Sequence, residues 1–204
     1  MKLELFIYMH SDNDTSRVRN DAFNRHQGFD LGRPRYVLAV WQLVKIIFFL
    51  TAFPWPSPIK TWWLRRFGAQ IGPNVYWKPR VNIHLPWKLT VGAHTWIGEE
   101  VCIVNFAPVT IGAHCCLSQR CFICSGNHDY RFPDMRYRHA PIALGDGVWI
   151  GATAFVGPGV QIGSDAVICA GTLVSKILRG SWVYAGNPCQ PLRPRWPEIK
   201  KTAG

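Results

Sequence analysis

Leu144-Gly145-Asp146-Gly147-Val148-Trp149-Ile150-Gly151-Ala152-Thr153-Ala154-Phe155-Val156-Gly157-Pro158-Gly159-Val160-Gln161-Ile162-Gly163-Ser164-Asp165-Ala166-Val167-Ile168-Cys169-Ala170-Gly171-Thr172-Leu173-Val174-Ser175 is the stretch on which the fold turns. An aliphatic residue returns at every sixth position, at Leu144, Ile150, Val156, Ile162, Ile168 and Val174. The residue after each head is small (Gly145, Gly151, Gly157, Gly163, Cys169, Ser175), and the fifth place holds Val148, Ala154, Val160, Ala166, Thr172 and Leu178. This period matches neither a helix, which repeats near ~3.6, nor a single half-buried strand, which repeats near ~2. It fits short strands joined by tight turns. The head points inward, and the small residue after it tolerates both the turn and the close approach of the next coil. Stacked coils then bury one continuous apolar column, so the predicted core is all-β and solenoidal.

Working outward, the same heads occur in shorter runs at Val91-Gly92, Ile97-Gly98, Ile103, Ile111-Gly112, Leu117-Ser118 and Ile123-Cys124, with a fainter copy at Ile71-Gly72. From Ile123 to Leu144 the step is 21 residues instead of six, so fifteen residues are inserted at one corner. Long loops on rigid scaffolds commonly carry function. The root of this one reads Ser125-Gly126-Asn127-His128-Asp129-Tyr130. The chain divides into an arm with aromatic-rich helices (1–68), a β-helix (69–178) with an inserted loop (129–143), and a basic C-terminal extension (179–204).

The 204 residues are 48% hydrophobic and 17% charged, with a mean hydropathy of +0.00, which excludes disorder for most of the chain. The net charge of +11 lies at the two ends: ten basic against five acidic residues in 1–70, six against one in 176–204, and two aspartates with no Lys or Arg in 142–175. Basic ends suit phosphorylated ligands or a membrane surface. Nucleic acid is not expected as a partner, because no nucleic-acid motif accompanies the charge and the repeat region is close to neutral. The odd count of seven cysteines, with no signal-peptide plan at the start, points to a reducing, cytoplasmic setting. Cys121-x-x-Cys124 has no second pair, and the repeat frame makes Cys121 a fifth-place and Cys124 a second-place packing residue, so no metal is expected.

The repeat resembles that of the hexapeptide-repeat transferases, which implies a left-handed parallel β-helix with three hexapeptides per coil. The handedness comes from the resemblance, since the usual crossover rule favours right-handed connections. The run from Ser125 to Tyr130, with Val148-Trp149-Ile150-Gly151-Ala152, Ala170-Gly171-Thr172-Leu173-Val174-Ser175-Lys176 and Ala185-Gly186-Asn187-Pro188-Cys189, is similar to the acetyl-CoA-dependent sugar O-acetyltransferases. Leu64-x-x-Phe67-Gly68-Ala69-x-Ile71-Gly72 and Pro86-Trp87-Lys88-Leu89-Thr90-Val91-Gly92 resemble, more specifically, the colanic-acid acetyltransferases of bacterial exopolysaccharide clusters.

That resemblance implies acetyl-CoA as acyl donor and His128 as general base. A sugar hydroxyl is a poor nucleophile until a base takes its proton, and a neutral imidazole suits the task. The amide of Gly151 or Ala152 is expected to face the developing oxyanion. The donor is expected along Trp149, Gly151, Ala152, Ala170 and Gly171, with Ser175, Lys176 and Arg193 toward its nucleotide end. Asn105, Asp129 and Tyr130 are expected to contact the acceptor, and either Asp129 or a backbone carbonyl to orient His128. The family's groove lies between neighbouring subunits, so a homotrimer is expected.

Two alternatives keep the fold. One is a non-catalytic β-helix subunit of a polysaccharide assembly complex. The other is a trimeric zinc hydratase similar to the γ-carbonic anhydrases, raised by His94 and His114. Residues 36–55 are apolar, but Gln42 and Lys45 near the centre, with Pro54, Pro56 and Pro58 at the end, argue against a membrane span. A helix there, with a second over 59–67, is expected to cap the open end of the β-helix and to lie close to a membrane at its cytoplasmic face, near a lipid-linked oligosaccharide acceptor.

Overall fold

A computed structural model describes residues 17–24 and 27–196. The rest of the expected arm (1–16, 25–26) and of the basic extension (197–204) lies outside the described residues.

From Gln70 onward the chain winds into a left-handed parallel β-helix of triangular section. The first coil holds β1 (Gln70–Ile71), β2 (Tyr76–Trp77) and β3 (Asn82–Ile83); the second β4 (Leu89–Val91), β5 (Trp96–Ile97) and β6 (Cys102–Val104); the third β7 (Val109–Ile111), β8 (Cys116–Leu117) and β9 (Phe122–Cys124). The fourth holds β10 (Ile142–Leu144), β11 (Trp149–Ile150) and β12 (Phe155–Val156), and the fifth β13 (Gln161–Ile162), β14 (Val167–Ile168) and β15 (Leu173–Val174). Every third strand pairs in parallel, giving a first face (β1-β4-β7-β10-β13), a second (β2-β5-β8-β11-β14) and a third (β3-β6-β9-β12-β15). The heads Leu144, Ile150, Val156, Ile162, Ile168 and Val174 are all buried, as are the fifth-place Val148, Ala154, Val160, Ala166 and Thr172.

The second-place glycine is demanded by close approach and not by the turn. A Cβ on Gly92 would sit 2.3 Å from the Ala113 amide nitrogen, and one on Gly151 2.5 Å from that of Ala170. The left-handed turn residue stands at the fourth place instead. Asn74, His94, His114 and Asp165 carry φ of 56–61° at the corner between first and second faces, and Arg80, Glu100, Arg120 and Thr153 carry 57–59° at the next. Stacking brings like positions together, so the His94 and His114 rings lie parallel at 5.0 Å, and Glu100 bridges Arg80 at 3.0 Å and Arg120 at 2.6 Å.

Irregularity gathers at the third corner, between third and first faces. Register steps of twenty residues (Gln70↔Thr90, Thr90↔Thr110) shorten to eighteen beyond the insertion (Ala143↔Gln161). The two extra residues per early coil sit at this corner, directly below the inserted loop. There the buried Asn105 accepts from the Leu85 amide at 2.8 Å and donates to the Leu85 carbonyl at 2.6 Å. One coil on, the buried Ser125 hydroxyl accepts from the Ala107 amide at 2.9 Å and donates to the Ala107 carbonyl at 2.9 Å.

At the N-terminal end two helices, α1 (Arg35–Phe48) and α2 (Ser57–Arg66), close the first coil. Trp41, Phe49 and Leu64 are fully buried against it, and the Trp41 indole donates to the Ile83 carbonyl at 3.1 Å. α1 is shorter than the apolar run 36–55: Phe53 and Trp55 each precede a proline, which disfavours helical backbone. Among the described residues no helix is long and apolar enough to cross a membrane. At the other end β16 (Trp182–Ala185) joins the second face, and β17 (Gln190–Pro194) pairs with it antiparallel, Val183 opposite Arg193. The connecting turn contains a cis peptide bond between Asn187 and Pro188.

Candidate active site

The inserted loop folds back as a small hairpin. His128 bridges Tyr137, the Asp129 amide donates to the Arg136 carbonyl at 2.8 Å, and the Arg138 amide donates to the Asn127 carbonyl at 2.8 Å. Its tip holds Met135 at φ 48°, a left-handed position that turns the Met135 carbonyl onto His128 Nδ1. A carbonyl can only accept, so Nδ1 carries the proton and Nε2 of the neutral ring keeps its lone pair. The orienting group is therefore backbone. Asp129 is turned away from the imidazole: it is buried and clamped by the Arg131 guanidinium, with Nε 2.8 Å from its carboxylate, which holds it well below the ordinary aspartate range at about 2.

The loop offers a second histidine, and its bonding tells the two apart. His139 Nδ1 accepts from the Asn127 amide at 3.4 Å, so its proton sits on Nε2, a buried atom with no hydrogen-bond partner among the described residues. Its ring stacks on Phe106 at 5.0 Å. His139 thus offers no exposed lone pair, whereas His128 is exposed. Tyr130 projects from the loop with 79% of its surface open.

Residues 1–30 carry no periodic pattern in the sequence. Two of their phenylalanines pack on this loop: Phe23 lies 5.3 Å from the His128 ring and 5.0 Å from Tyr137, and Phe29 lies 5.7 Å from Tyr137. The Arg19 amide donates to the Pro133 carbonyl at 2.8 Å. No periodic signal marks these contacts, since each aromatic is isolated in a polar segment.

The residues expected to hold the donor divide between two corners. Trp149, Gly151, Ala152, Ala170 and Arg193 line one groove of about 740 Å³ on the second face and the corner beyond it, which Ser118, Gln119, Arg195 and Trp196 complete. Gly171, at φ 68°, stands in the same corner turn. Ser175 and Lys176 lie past the third face, and Lys176 lines a separate hollow with Trp182 and Tyr184, so the chain does not bring these two to the Gly151 groove. The Trp149 indole donates to the Ser118 hydroxyl at 2.9 Å, fixing the ring across the groove mouth. The Gly151 amide is spent on the Ile168 carbonyl at 2.7 Å, whereas that of Ala152 makes no hydrogen bond among the described residues, so Ala152 is the amide free to meet an oxyanion. Arg195 was not foreseen. It donates to the Gly147 carbonyl at 2.7 Å and stacks on Trp196 at 4.7 Å, fixing β17's end beside the groove.

Asn105 requires a correction. It was expected to touch the acceptor, but it is fully buried and both of its polar groups are bound to Leu85, so it clamps two coils. His94 and His114 stack on the opposite corner, and among the described residues no group of three His, Cys, Asp or Glu side chains could hold a metal ion. Cys121 is fully buried in the core, where desolvation pushes its thiol up to about 12.

The family described as "Bacterial transferase hexapeptide (six repeats)" matches residues 141–176. The Escherichia coli protein named "Putative colanic acid biosynthesis acetyltransferase WcaF" is 39% identical over 149 residues, spanning 71% of this chain and 82% of that protein. The E. coli galactoside O-acetyltransferase is 30% identical over 134 residues, 64% of this chain and 66% of that one. Among solved structures, the hexapeptide-repeat acetyltransferase VCA0836 of Vibrio cholerae, complexed with acetyl-CoA, superposes with a TM-score of 0.71 at 22% identity, covering 80% of this chain and 89% of the other. The last shows likeness of fold, and the 39% identity to the E. coli WcaF protein over 71% of this chain carries the assignment: this chain belongs to the hexapeptide-repeat acetyltransferase family.

Proposed function

We propose that the protein transfers the acetyl group of acetyl-CoA to a sugar hydroxyl in bacterial exopolysaccharide biosynthesis, with His128 as general base. The observation that carries this reading is the Met135 carbonyl on His128 Nδ1, which leaves Nε2 as an exposed proton acceptor at the edge of the scaffold. The groove fits the donor: small side chains at Gly151, Ala152 and Ala170 leave room for a long thin arm, and Arg193 offers a cation for phosphate. Acetyl-CoA supplies a thioester carbonyl as electrophile. His128 Nε2 takes the hydroxyl proton as the oxygen attacks, then returns it to the departing sulfur, so one C–O bond forms, one C–S bond breaks and no proton is left over. The Ala152 amide faces the charge that develops on the carbonyl oxygen. The name of the colanic acid relative supports the exopolysaccharide setting.

His128 and the groove stand on different corners of one chain, with the third face between them. A homotrimer, in which the loop of one subunit meets the groove of the next, unites them. The test is thiol release from acetyl-CoA with a panel of soluble and lipid-linked oligosaccharides. His128→Ala is expected to lower turnover by about 10²–10⁴-fold. Its unfolding midpoint stays near that of the parent because the side chain is exposed. Undiminished turnover in this variant overturns the assignment.

A further inference from the structure

We propose that the outer face of the α1–α2 hairpin is an interfacial membrane-docking surface, on which α1 lies flat against an anionic phospholipid layer. α1 is apolar on two sides. The inner side fills the end of the β-helix through Trp41, Val44 and Phe49. The outer side presents Tyr36, Val40, Leu43, Ile47 and Leu50, from 72% to 40% exposed, at alternating steps of four and three that align them in one stripe. Phe53, 57% exposed, follows the stripe in the chain, and Trp62 of α2 is 58% exposed. Nothing within the described chain covers the stripe.

The charge around this face fixes the kind of partner. Between Asp30 and Glu99 the chain has nine Lys and Arg residues and no Asp or Glu. Where the start of α1 meets the end of α2, Arg33, Arg65 and Arg66 line a hollow of about 570 Å³ with Tyr36 and Trp63. Arg65 is tied to the Ile71 carbonyl at 2.7 Å, while Arg33 and Arg66 are exposed and have no carboxylate partner among the described residues. Lipid phosphates supply the missing anions, and the headgroup boundary accepts the apolar stripe beside them. A second copy of the hairpin would cover the stripe but bring no carboxylate, since neither helix contains one. At fourteen residues α1 reaches about 21 Å, short of the ~30 Å hydrocarbon core, so it lies in the plane of the surface. This inference does not rest on the acetyl-transfer reading.

Vesicle flotation of the full chain tests it, with phosphatidylcholine alone and with phosphatidylcholine containing phosphatidylglycerol. Binding is expected to the anionic vesicles, weakened by salt. Arg33→Gln with Arg66→Gln should lower the partition about thirtyfold, and Leu43→Gln with Ile47→Gln should remove it. All four side chains are exposed, and thermal unfolding verifies that the variants fold. Absence of flotation on both vesicle types overturns the proposal, as does flotation indifferent to these substitutions. A drop in native mass of the Leu43→Gln/Ile47→Gln protein without vesicle binding overturns it in favour of a second copy.

Discussion

Asn105 and His128 both stand where the repeat breaks, and only their neighbours separate a clamp from a candidate base. Asn105 satisfies the amide and carbonyl of Leu85, twenty residues away, at a corner too wide for the ordinary ladder. A sequence shows an asparagine at an interruption; it does not show that its partner lies one coil below, so the same letter reads equally well as an acceptor contact. His128 stands out in the sequence as a candidate base because the loop around it is an insertion. Its tautomer was not, since Met135 O reaches it only through a left-handed turn residue seven positions on. The clamp reading makes a prediction. Asn105→Ala leaves two buried backbone groups unpaired, at about 1–3 kcal/mol each, so denaturant unfolding should show a loss of about 2–6 kcal/mol. Steady-state kinetics below the unfolding range should show an unchanged KM for the acceptor; a raised KM at full stability would restore the acceptor-contact reading.

The strands were legible as elements because burial and period coincide: each head is inward and each fifth place is inward, so two columns of one sequence report the same geometry. The helices were less so. The apolar run 36–55 overstated α1, because exposed and buried hydrophobic faces look alike in sequence and the prolines alone mark the end. α2 hides a second feature. Lys60 is fully buried, donates to the Lys78 carbonyl at 2.9 Å, lies 5.9 Å from the Phe49 ring, and is pushed down by desolvation from 10.5 to about 8. The unfolded chain then holds this proton more tightly than the folded one. The resulting penalty is complete below pH 8, shrinks as the pH climbs and is gone above 10.5, so stability from this group rises across that window. Thermal unfolding of the parent and of Lys60→Met at pH 7.5 and 9.5 checks the sign: the parent should gain on the variant at the higher pH, and parallel behaviour would mean that Lys60 is not desolvated.

At the scale of the molecule, three flat faces hold the two parts of the proposed site apart on one chain: the loop with His128 beyond the third face, and the groove with Trp149, Ala152 and Arg193 before it. The stiffness of the parallel coils leaves no hinge by which a single chain could fold one onto the other, so a shared site demands a neighbour. In the proposed homotrimer, closed cyclic symmetry repeats the same loop-to-groove contact around the ring. The consequence can be measured by mixing two inactive proteins. His128→Ala keeps the groove and loses the base; Ala152→Trp keeps the base and fills the groove. Neither should turn over alone. In trimers co-assembled at equal ratio, about one site in four pairs an intact loop with an intact groove, so roughly a quarter of the parent activity should return. An intrachain site predicts no recovery at any ratio, because each chain then carries its own defect. Separately assembled trimers mixed without exchange provide the control and should stay inactive, which ties the recovered turnover to subunit contact.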